Sequence, residues 1–502
     1  MHNKTKIILG PPGTGKTTTL LNLVEQELAK GTPPDRIGFF AFTKKAAVEA
    51  KERAIKKFKL QDQQLPYFRT LHSLAFNELG LNKSEIMGKN SYKEFAQSFG
   101  LDLGYVIDAD DMNGSITTDN ILINEVNLSR MKCLKLEEHY NQSNLDVSWH
   151  ALLRTKNALE EFKRKKEVFD FTDMIELFIE SGPELKFEVL FIDEAQDLCA
   201  LQWLMVNKLS KNSKMTYVCG DDDQAIYRWN GADVEHFINM SGEVQTLNKS
   251  YRCPRSVQAL SNNIISRVKN RRNKQWFGTE EEGKTNYHAY PESVDIQNGE
   301  WLILARTNYL LEDLERNVRD LGLIYKKNGV LPISKKLLNA VWSWKKLCDG
   351  EEIESSQLRD VYSFISSKVG IEHGHKSLKD IHEQEHFTMN NLVRDHGLLV
   401  ANRPWDVAFD KIGNRDKEFL RCIERRNKSF YIGEPKINLS TIHGAKGGEA
   451  DNVMLLTDLS KKSQEAMEQN PDDECRVFYV ASTRAKKSLH IVQPQREGGF
   501  LI

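Results

Sequence analysis

A stretch near the amino terminus has the residue types and spacing of a triphosphate-binding loop. It reads Gly-x-x-x-x-Gly-Lys-Thr from Gly10 to Thr17, directly after the apolar run 7–9. Its glycines let successive backbone N–H groups point inward, and the helix predicted over 18–30 directs its positive end at the same place. The full pattern between a strand and a helix disfavours the alternative, a turn without a ligand. The predicted nucleotide-binding residues are Gly10, Pro11, Pro12, Gly13, Thr14, Gly15, Lys16, Thr17 and Thr18.

Two residues of this loop have predicted chemical roles. The Lys16 ammonium would bind the β- and γ-phosphates, and the Thr17 hydroxyl would be a Mg²⁺ ligand. Asp193 and Glu194 complement them, because they follow a second apolar run, 189–192, that reads as a buried parallel strand. We expect Asp193 to hold Mg²⁺, and Glu194 to orient and deprotonate the attacking water. A purely structural acid pair is disfavoured, since buried carboxylates are costly without a partner.

A third strand-like run, 215–219, leads into a loop that contains Gln224, Tyr227 and Trp229. An amide that senses the γ-phosphate would lie a few peptide units from aromatic rings that can stack on bases. Such a loop is a minimal coupling element between hydrolysis and the grip on a nucleic-acid strand. The alternative is that Tyr227 and Trp229 only fill the core.

Two further stretches suit nucleic acid. Phe42 ends a strand and precedes Thr43 and a lysine-rich helix start, so it could stack on a base while Thr43 contacts a phosphate. Core packing of Phe42 is an equal alternative. Thr70 and His72 cluster hydroxyl and imidazole groups that suit phosphate contacts, although a lone histidine is usually structural.

Arg252 and Arg484 are candidates for an arginine that neutralises charge in the transition state. Such an arginine raises the rate by about 10³ to 10⁵ in phosphoryl transfer. An ordinary surface ion pair is the alternative for either residue.

Composition sets the frame for these elements. The chain has 502 residues, 40% hydrophobic and 28% charged, which is typical of a globular protein with several cores. No apolar run is long enough for a membrane span, and no secretion signal precedes the first strand, so we expect a cytoplasmic protein. The net charge of −1 does not itself indicate nucleic acid. The seven scattered cysteines have no metal-ligand spacing and are expected to be reduced.

The order of strand and helix signals predicts an α/β protein with two parallel-sheet domains, each interrupted by a mainly helical insertion. The predicted first domain comprises 1–80 and 167–248, with the insertion at 81–166. That insertion contains an acidic patch at 108–119. The predicted second domain comprises 249–330 and 435–502, with the insertion at 331–434.

The motif strings occur in the order found in UvrD/Rep-like superfamily 1 helicases, which the chain resembles over nearly its whole length. They are GPPGTGKT, AFTKKAA, TLHS, DFTDM, IDEAQD, GDDDQAIYRW, SYRCP, TIHGAKGGE and FYVASTRAK. The resemblance implies two RecA-like domains with ATP between them, single-stranded DNA across their tops and 3′-to-5′ movement. It also implies that Tyr251 stacks on adenine, Glu449 lies near the ribose, and Arg252 and Arg484 are arginine fingers. The positions that match DNA contacts are Phe42, Thr70, His72, Tyr227, Trp229, Arg306, Asn308 and His443.

We therefore expect an ATP- and Mg²⁺-dependent DNA helicase that acts on single-stranded and duplex DNA. We expect a monomer, with a replication or repair protein as a further partner, in the cytoplasm of a bacterium or a phage-infected host. One alternative is a translocase that strips proteins from single strands and unwinds little. Another is a non-motor ATP-dependent switch protein, whose ATPase activity would be indifferent to DNA.

Overall fold

The structure is a computed structural model that describes residues 4–104, 106–107, 117–143, 146–367, 369–378, 381–382, 385–427 and 434–502. Most of the acidic patch, 108–116, lies outside these residues. The chain forms two compact units: 1–282 with 470–483, and 283–469 with 484–502. Residues 249–282 and 470–483 thus cluster with the first unit, whereas the motif order groups them with the second α/β domain. The domain boundaries stay a prediction.

The strands lie in two six-stranded sheets and two short antiparallel pairs. In chain order they are β1 (Lys4–Leu9), β2 (Ile37–Phe40), β3 (Phe68–Arg69), β4 (Val106–Ile107), β5 (Thr117–Thr118), β6 (Val189–Ile192), β7 (Met215–Gly220), β8 (Glu243–Thr246), β9 (Lys284–His288), β10 (Trp301–Ala305), β11 (Tyr325–Lys327), β12 (Ile353–Glu354), β13 (His386–Phe387), β14 (Ile437–Thr441), β15 (Ala450–Leu456) and β16 (Ala485–Val492).

The helices cover the sheets and build the insertions. They are α1 (Lys16–Ala29), α2 (Lys44–Phe58), α3 (Leu71–Glu78), α4 (Lys89–Phe99), α5 (Ile121–Met131), α6 (Leu136–Gln142), α7 (Trp149–Lys166), α8 (Phe171–Ser181), α9 (Ala200–Lys211), α10 (Val234–Asn239), α11 (Arg255–Ile265), α12 (Glu312–Asp320), α13 (Lys335–Cys348), α14 (Ser355–Ser363), α15 (Met389–Asp395), α16 (Trp405–Ala408), α17 (Asn414–Asn427), α18 (Lys461–Gln469) and α19 (Pro471–Ser482). Among the described residues, no helix has both the length and the apolar character needed to cross a membrane.

The first sheet has the strand order β3-β2-β6-β7-β1-β8, and its paired strands are parallel. Side chains of successive strand residues point to opposite faces. Ile7 and Leu9 accordingly belong to the apolar core on one face, and Ile8 belongs to the core on the other. Strands buried on both faces explain the continuous apolar runs in the sequence. Since β6, β7 and β1 are adjacent and parallel, their carboxyl ends meet at one edge, where open α/β sheets bind ligands.

The first insertion is mainly helical, as predicted. Helices α4 to α7 enclose a small core of their own, whose members include Met87, Phe95, Ile123, Leu152 and Phe162. The second insertion contains helices α13 to α17 and the pair β12–β13. Its apolar residues form one continuous core with the second sheet, so Trp344 and Phe409 of the insertion belong to the same cluster as Leu439 of β14.

The second sheet has the order β11-β14-β10-β15-β16-β9, and its paired strands are again parallel. The predicted fold class, two parallel-sheet α/β domains with helical insertions, is therefore confirmed.

A buried ion network joins the first insertion to α8. Arg130 of α5 donates to Asp170 at 2.8 Å, and to Asp173 and Glu176 at 2.5 Å each. Lys163 of α7 binds Asp170 and Asp173 at 2.7 Å each. Burial by itself raises the pKa of Asp170, but the charges of Arg130 and Lys163 outweigh it and hold that pKa below its usual range. The network therefore depends on both cations.

Replacing Arg130 with Met leaves buried carboxylates with one cation fewer, so we expect it to destabilise the first unit by about 3 kcal/mol. Lys165→Met is the matched control, because Lys165 on α7 is 70% exposed and pairs only at the surface with Glu161. A surface pair of that kind contributes about 0–1 kcal/mol. Urea unfolding followed by circular dichroism measures both changes. Equal midpoints for the two variants would show that Arg130 is not needed for stability.

Candidate ATP-binding and nucleic-acid-binding sites

The phosphate loop leaves β1 and enters α1 at Lys16. Gly13 and Gly15 have φ angles of 70° and 77°, in the left-handed region that favours glycine. A Cβ on Gly10 would collide with the aliphatic part of the Lys16 side chain, which folds back over the loop. The Lys16 Nζ donates to the Gly10 carbonyl at 3.1 Å and lies 3.4 Å from Glu194 Oε1. The loop therefore positions a lysine ammonium at the carboxyl edge of the sheet.

Lys16 is a largely buried cation that faces carboxylates, with 11% of its side chain exposed. Burial lowers the pKa of Lys16, but the charges of Glu194 and Asp221 outweigh that effect and raise it. The ammonium is therefore fully charged at neutral pH. A charged donor in a desolvated loop binds phosphate oxygens more strongly than a neutral donor would.

Thr17 and Asp193 form an oxygen pair suited to Mg²⁺. The Thr17 hydroxyl donates to Asp193 Oδ2 at 3.0 Å. Burial and the neighbouring Glu194 raise the pKa of Asp193 to about 6, because Lys16 and Thr17 compensate its charge only in part. A hydroxyl and a carboxylate with excess negative charge are the ligand types that Mg²⁺ prefers, so these residues fit the ion.

Glu194 adopts a strained backbone conformation, with a φ angle of 51°. Such a conformation costs about 1–3 kcal/mol for a residue other than glycine, and strained residues cluster at functional sites. The Glu194 N–H donates to Asp193 Oδ1 at 3.0 Å, which helps to hold the turn.

Gln196 joins the two loops that follow β6 and β7. Its Nε2 donates to Glu194 Oε2 at 2.6 Å and to Asp197 Oδ2 at 3.1 Å. Its Oε1 accepts the Asp221 N–H at 2.9 Å. A Cβ on Gly220 would lie 2.5 Å from Gln196 Oε1, so the bridge needs a glycine there. The predicted catalytic base is therefore connected to the loop that contains Gln224.

Gln224 ends the short 3₁₀ turn Asp222–Gln224, which follows β7 after one residue. Its Nε2 donates to Asp221 Oδ2 at 2.7 Å. The Gly10 N–H donates to the Gly220 carbonyl at 2.9 Å, so this loop begins beside the phosphate loop. The structure thus brings Lys16, Glu194 and Gln224 to one edge of the first sheet.

The segment with Tyr251 and Arg252 rests on the phosphate loop. The Tyr251 N–H donates to the Gly13 carbonyl at 2.8 Å, and the Ser250 hydroxyl donates to the Pro12 carbonyl at 2.8 Å. A Cβ on Gly13 would lie 2.5 Å from the Cβ of Arg252. Tyr251 is 74% exposed, so its ring is accessible beside the loop. The stacking of Tyr251 on adenine stays a prediction.

Three of the predicted DNA-contacting aromatic residues lie in the first unit. The rings of Phe42 and Tyr227 are 6.0 Å apart. Trp229, two residues farther along the loop, is 49% exposed. Phe42 is partly buried, so it combines packing with access.

Thr43 and Thr70 have structural contacts of their own. The Thr43 hydroxyl caps α2 by accepting the Ala46 N–H at 3.1 Å, and the Thr70 hydroxyl caps α3 by accepting the Ser73 N–H at 3.2 Å. Both therefore mark helix amino termini, which attract phosphate groups. A groove of about 740 Å³ lies beside these helices, lined among others by Phe42, Lys44, Lys51, Arg69, Thr70 and His72.

The predicted site residues of the second unit fall at opposite edges of its sheet. Arg306 and Asn308 follow β10, and His443 follows β14; these strands pair in register, with Ala305 opposite Thr441. Glu449 and Arg484 instead precede β15 and β16. Arg484 is 2% exposed and donates to the Gly448 carbonyl at 3.3 Å. It is therefore buried rather than at the surface.

Several contacts of the site have no signal in the sequence. Gln196 lies within the IDEAQD string and Ser250 within SYRCP. Because a motif match assigns roles only to residues with a recognised chemistry, an amide that bridges two loops gave no separate signal.

Comparisons with known proteins agree with the motif order. The sequence model of the UvrD/REP helicase N-terminal domain matches residues 1–245, and that of the UvrD-like helicase C-terminal domain matches 336–496. A probable DNA helicase II homolog of Mycoplasma genitalium is 25% identical over 97% of this chain and 82% of its own length. A probable DNA helicase II homolog of Rickettsia conorii is 24% identical over 97% and 90%. The ATP-dependent DNA helicase PcrA of Bacillus subtilis is 23% identical over 72% and 50%.

His72 gives a prediction about pH. Its ring packs edge-on against Phe171, with centroids 5.8 Å apart, and burial lowers its pKa to about 4. In the unfolded chain the pKa would be about 6.5. Between these values the unfolded chain binds a proton that the folded chain excludes, so stability falls as the pH is lowered through this range.

We expect His72→Asn to remove this dependence. Between pH 7 and 5, the wild type should lose about 1–2 kcal/mol more unfolding free energy than the variant. His150→Asn, at an exposed position on α7, is the control. Urea unfolding at each pH measures the difference. Parallel pH profiles for wild type and His72→Asn would show that folding does not lower the pKa of this partly buried imidazole.

Proposed function

The chain belongs to the UvrD/Rep family of DNA helicases, and on this premise we propose that it is a motor that hydrolyses ATP, moves along single-stranded DNA from 3′ to 5′ and separates duplex strands. Its two parallel sheets correspond to the RecA-like domains of the family. The observation that supports coupling most directly is the loop after β7, in which Gln224 lies beside the phosphate loop and Trp229 follows it after a few residues.

The chemistry proposed for the nucleotide site uses residues of the first unit. Lys16 binds the β- and γ-phosphates, and Glu194 orients and deprotonates the attacking water while Gln196 fixes its carboxylate. Thr17 and Asp193 would hold a Mg²⁺ ion, whose charge offsets that of the phosphate oxygens. We propose that Tyr251 stacks on adenine. The proposed arginine fingers are Arg252, which packs against the phosphate loop, and Arg484. Glu449 is the proposed contact to the ribose.

We propose that DNA is gripped by stacking and by phosphate contacts. Phe42, Tyr227 and Trp229 offer aromatic faces, and stacking contributes about 1–3 kcal/mol per base. Thr43, Thr70 and His72 are the proposed phosphate contacts of the first unit; His72 would act there as a neutral imidazole. Arg306, Asn308 and His443 are the proposed contacts of the second unit. We further propose that the protein acts as a monomer in the cytoplasm with a replication or repair partner.

The first test measures ATP turnover with and without single-stranded DNA. Glu194→Gln keeps the size of the side chain but removes the base, so we expect DNA-stimulated turnover to fall by about 10² to 10⁴. Glu184→Gln, at an exposed position before β6, should hydrolyse ATP like the wild type. Wild-type turnover that does not respond to DNA would favour the switch protein over the motor.

Strand displacement on tailed duplexes tests direction and unwinding. We expect unwinding of a duplex with a 3′ single-stranded tail and little unwinding with a 5′ tail. The reverse preference would overturn the proposed direction. Displacement of streptavidin from biotinylated single strands without duplex unwinding would replace the helicase proposal with the protein-stripping translocase.

Trp229→Ala tests the coupling. We expect the single-stranded DNA concentration that gives half-maximal ATPase stimulation to rise about tenfold or more, because one stacking platform is lost. Basal hydrolysis should be unchanged, since Trp229 has no proposed role in binding ATP. Tyr287→Ala removes another exposed aromatic residue, on β9, as the control. Wild-type stimulation in Trp229→Ala would show that this ring does not couple the two activities.

A further inference from the structure

Three consecutive carboxylates that follow β7 are buried together. Asp221, Asp222 and Asp223 are each 0% exposed. The Lys274 ammonium lies among them, 3.1 Å from Asp221 Oδ1, 2.6 Å from Asp222 Oδ1 and 2.9 Å from Asp223 Oδ2. The Lys274 side chain is itself completely buried. One cation therefore contacts all three acids.

The ammonium occupies the place that a metal ion could otherwise take. One oxygen from each carboxylate lies within 4.8 Å of the others, an arrangement that could hold a divalent cation. Because the Lys274 Nζ lies within hydrogen-bond distance of all three, this cluster is a lysine site in the folded chain. Burial lowers the pKa of Lys274, but the charges of the three carboxylates outweigh it and raise the pKa.

A short segment around Lys274 holds the rest of the loop. Arg271 binds both oxygens of Asp223, at 2.8 and 2.5 Å, and the Arg272 N–H donates to Asp222 Oδ2 at 2.8 Å. Arg476 of α19 connects the two segments, since it donates to the Asp222 carbonyl at 3.0 Å and to the Asn270 carbonyl at 2.6 Å. Residues 270–274 and α19 therefore bind the loop that begins at Asp221 through ion pairs and hydrogen bonds.

Asp221 connects these contacts to the predicted nucleotide site. One of its carboxylate oxygens binds Lys274, and the other accepts the Gln224 amide at 2.7 Å. Its backbone N–H binds Gln196, whose amide holds Glu194. The orientations of the predicted γ-phosphate sensor and catalytic base thus both depend on how Asp221 is held.

We propose that Lys274 is a positioning residue for ATP hydrolysis: by fixing the Asp221 carboxylate, its ammonium holds Gln224 toward the γ-phosphate and keeps the loop that leads to Trp229 in place. This role rests on the proposed function, because it deepens the role of Gln224 there. Lys274 does not touch the nucleotide itself. It acts through Asp221.

The test compares steady-state ATPase constants of full-length variants in the presence of single-stranded DNA. Lys274→Met removes the charge and leaves an unbranched side chain that is one atom shorter. We expect kcat to fall about tenfold or more while KM for ATP changes little, because the phosphate loop is untouched. Lys269→Met, at an exposed position in the same region, is the control and should keep the wild-type constants.

A double-mutant cycle separates positioning from a general structural role. If Lys274 acts through Gln224, Lys274→Met should add little to the loss already caused by Gln224→Ala. If Lys274 had only a structural role, the fold losses in kcat of the two single variants would multiply in the double variant. Should Lys274→Met fail to fold, Asp221→Asn tests the same contact, since it keeps the shape and one oxygen of Asp221 but loses the carboxylate. It should show the same kcat loss and the same non-additivity.

Glu194→Gln, measured in parallel, distinguishes failure of the proposed function from failure of the positioning role of Lys274. If Glu194→Gln hydrolyses ATP at the wild-type rate, the proposed function is wrong. If Glu194→Gln is inactive but Lys274→Met keeps the wild-type kcat, or if its loss multiplies with that of Gln224→Ala, the positioning role of Lys274 is overturned.

Discussion

The nucleotide site depends on the balance of charge at the carboxyl ends of three adjacent parallel strands. The end of β1 carries Lys16, the end of β6 carries Asp193 and Glu194, and the end of β7 carries Asp221. Buried acids of this kind are tolerated only when cations face them, because desolvating an unpaired charge costs several kcal/mol. Lys16 compensates Glu194, and Lys274 compensates Asp221. Burial raises the pKa of both Asp193 and Asp221, so the facing cations compensate neither acid completely. Asp193 also bonds the Thr17 hydroxyl, and this oxygen pair is where a cation would be accepted.

The same balance explains why the loops are bridged by an amide rather than by another charge. Gln196 lies between Glu194 and the Asp221 backbone, with 0% exposure. It can donate to a carboxylate and accept an N–H at the same time, which neither a lysine nor an ionised glutamate can do. A charged side chain here would also disturb the balance around Lys16. An amide therefore connects the two loops without changing the charge that a triphosphate would meet.

Much of this could be predicted from the sequence, and the part that could not has a clear reason. Local patterns mark the loop from Gly10 to Thr17 and the carboxylates after β6. The sequence therefore predicts these strand ends and the α/β fold class. Lys274 is 52 residues from Asp222 along the chain, and no local spacing relates the two. The same holds for Arg130 and Asp170, which meet only because α5 packs near the start of α8. Buried ion networks are fixed by tertiary packing, which periodicity and motifs do not encode.

The second sheet limits how a signal could pass through its unit. Arg306 and His443 lie at the carboxyl edge, whereas Glu449 and Arg484 lie at the amino edge. The strands between them are parallel and largely buried; β10 and β14 pair in regular register, and β15 and β16 do so apart from one irregularity at 450–452. A close-packed sheet of this kind deforms little. Binding at one edge therefore does not displace residues at the other edge by stretching the strands. Binding at one edge can displace the other edge only if the whole sheet moves as a rigid body. If the predicted roles hold, any link between binding at the Arg484 edge and binding at the His443 edge requires the sheet to shift as a body rather than to change shape.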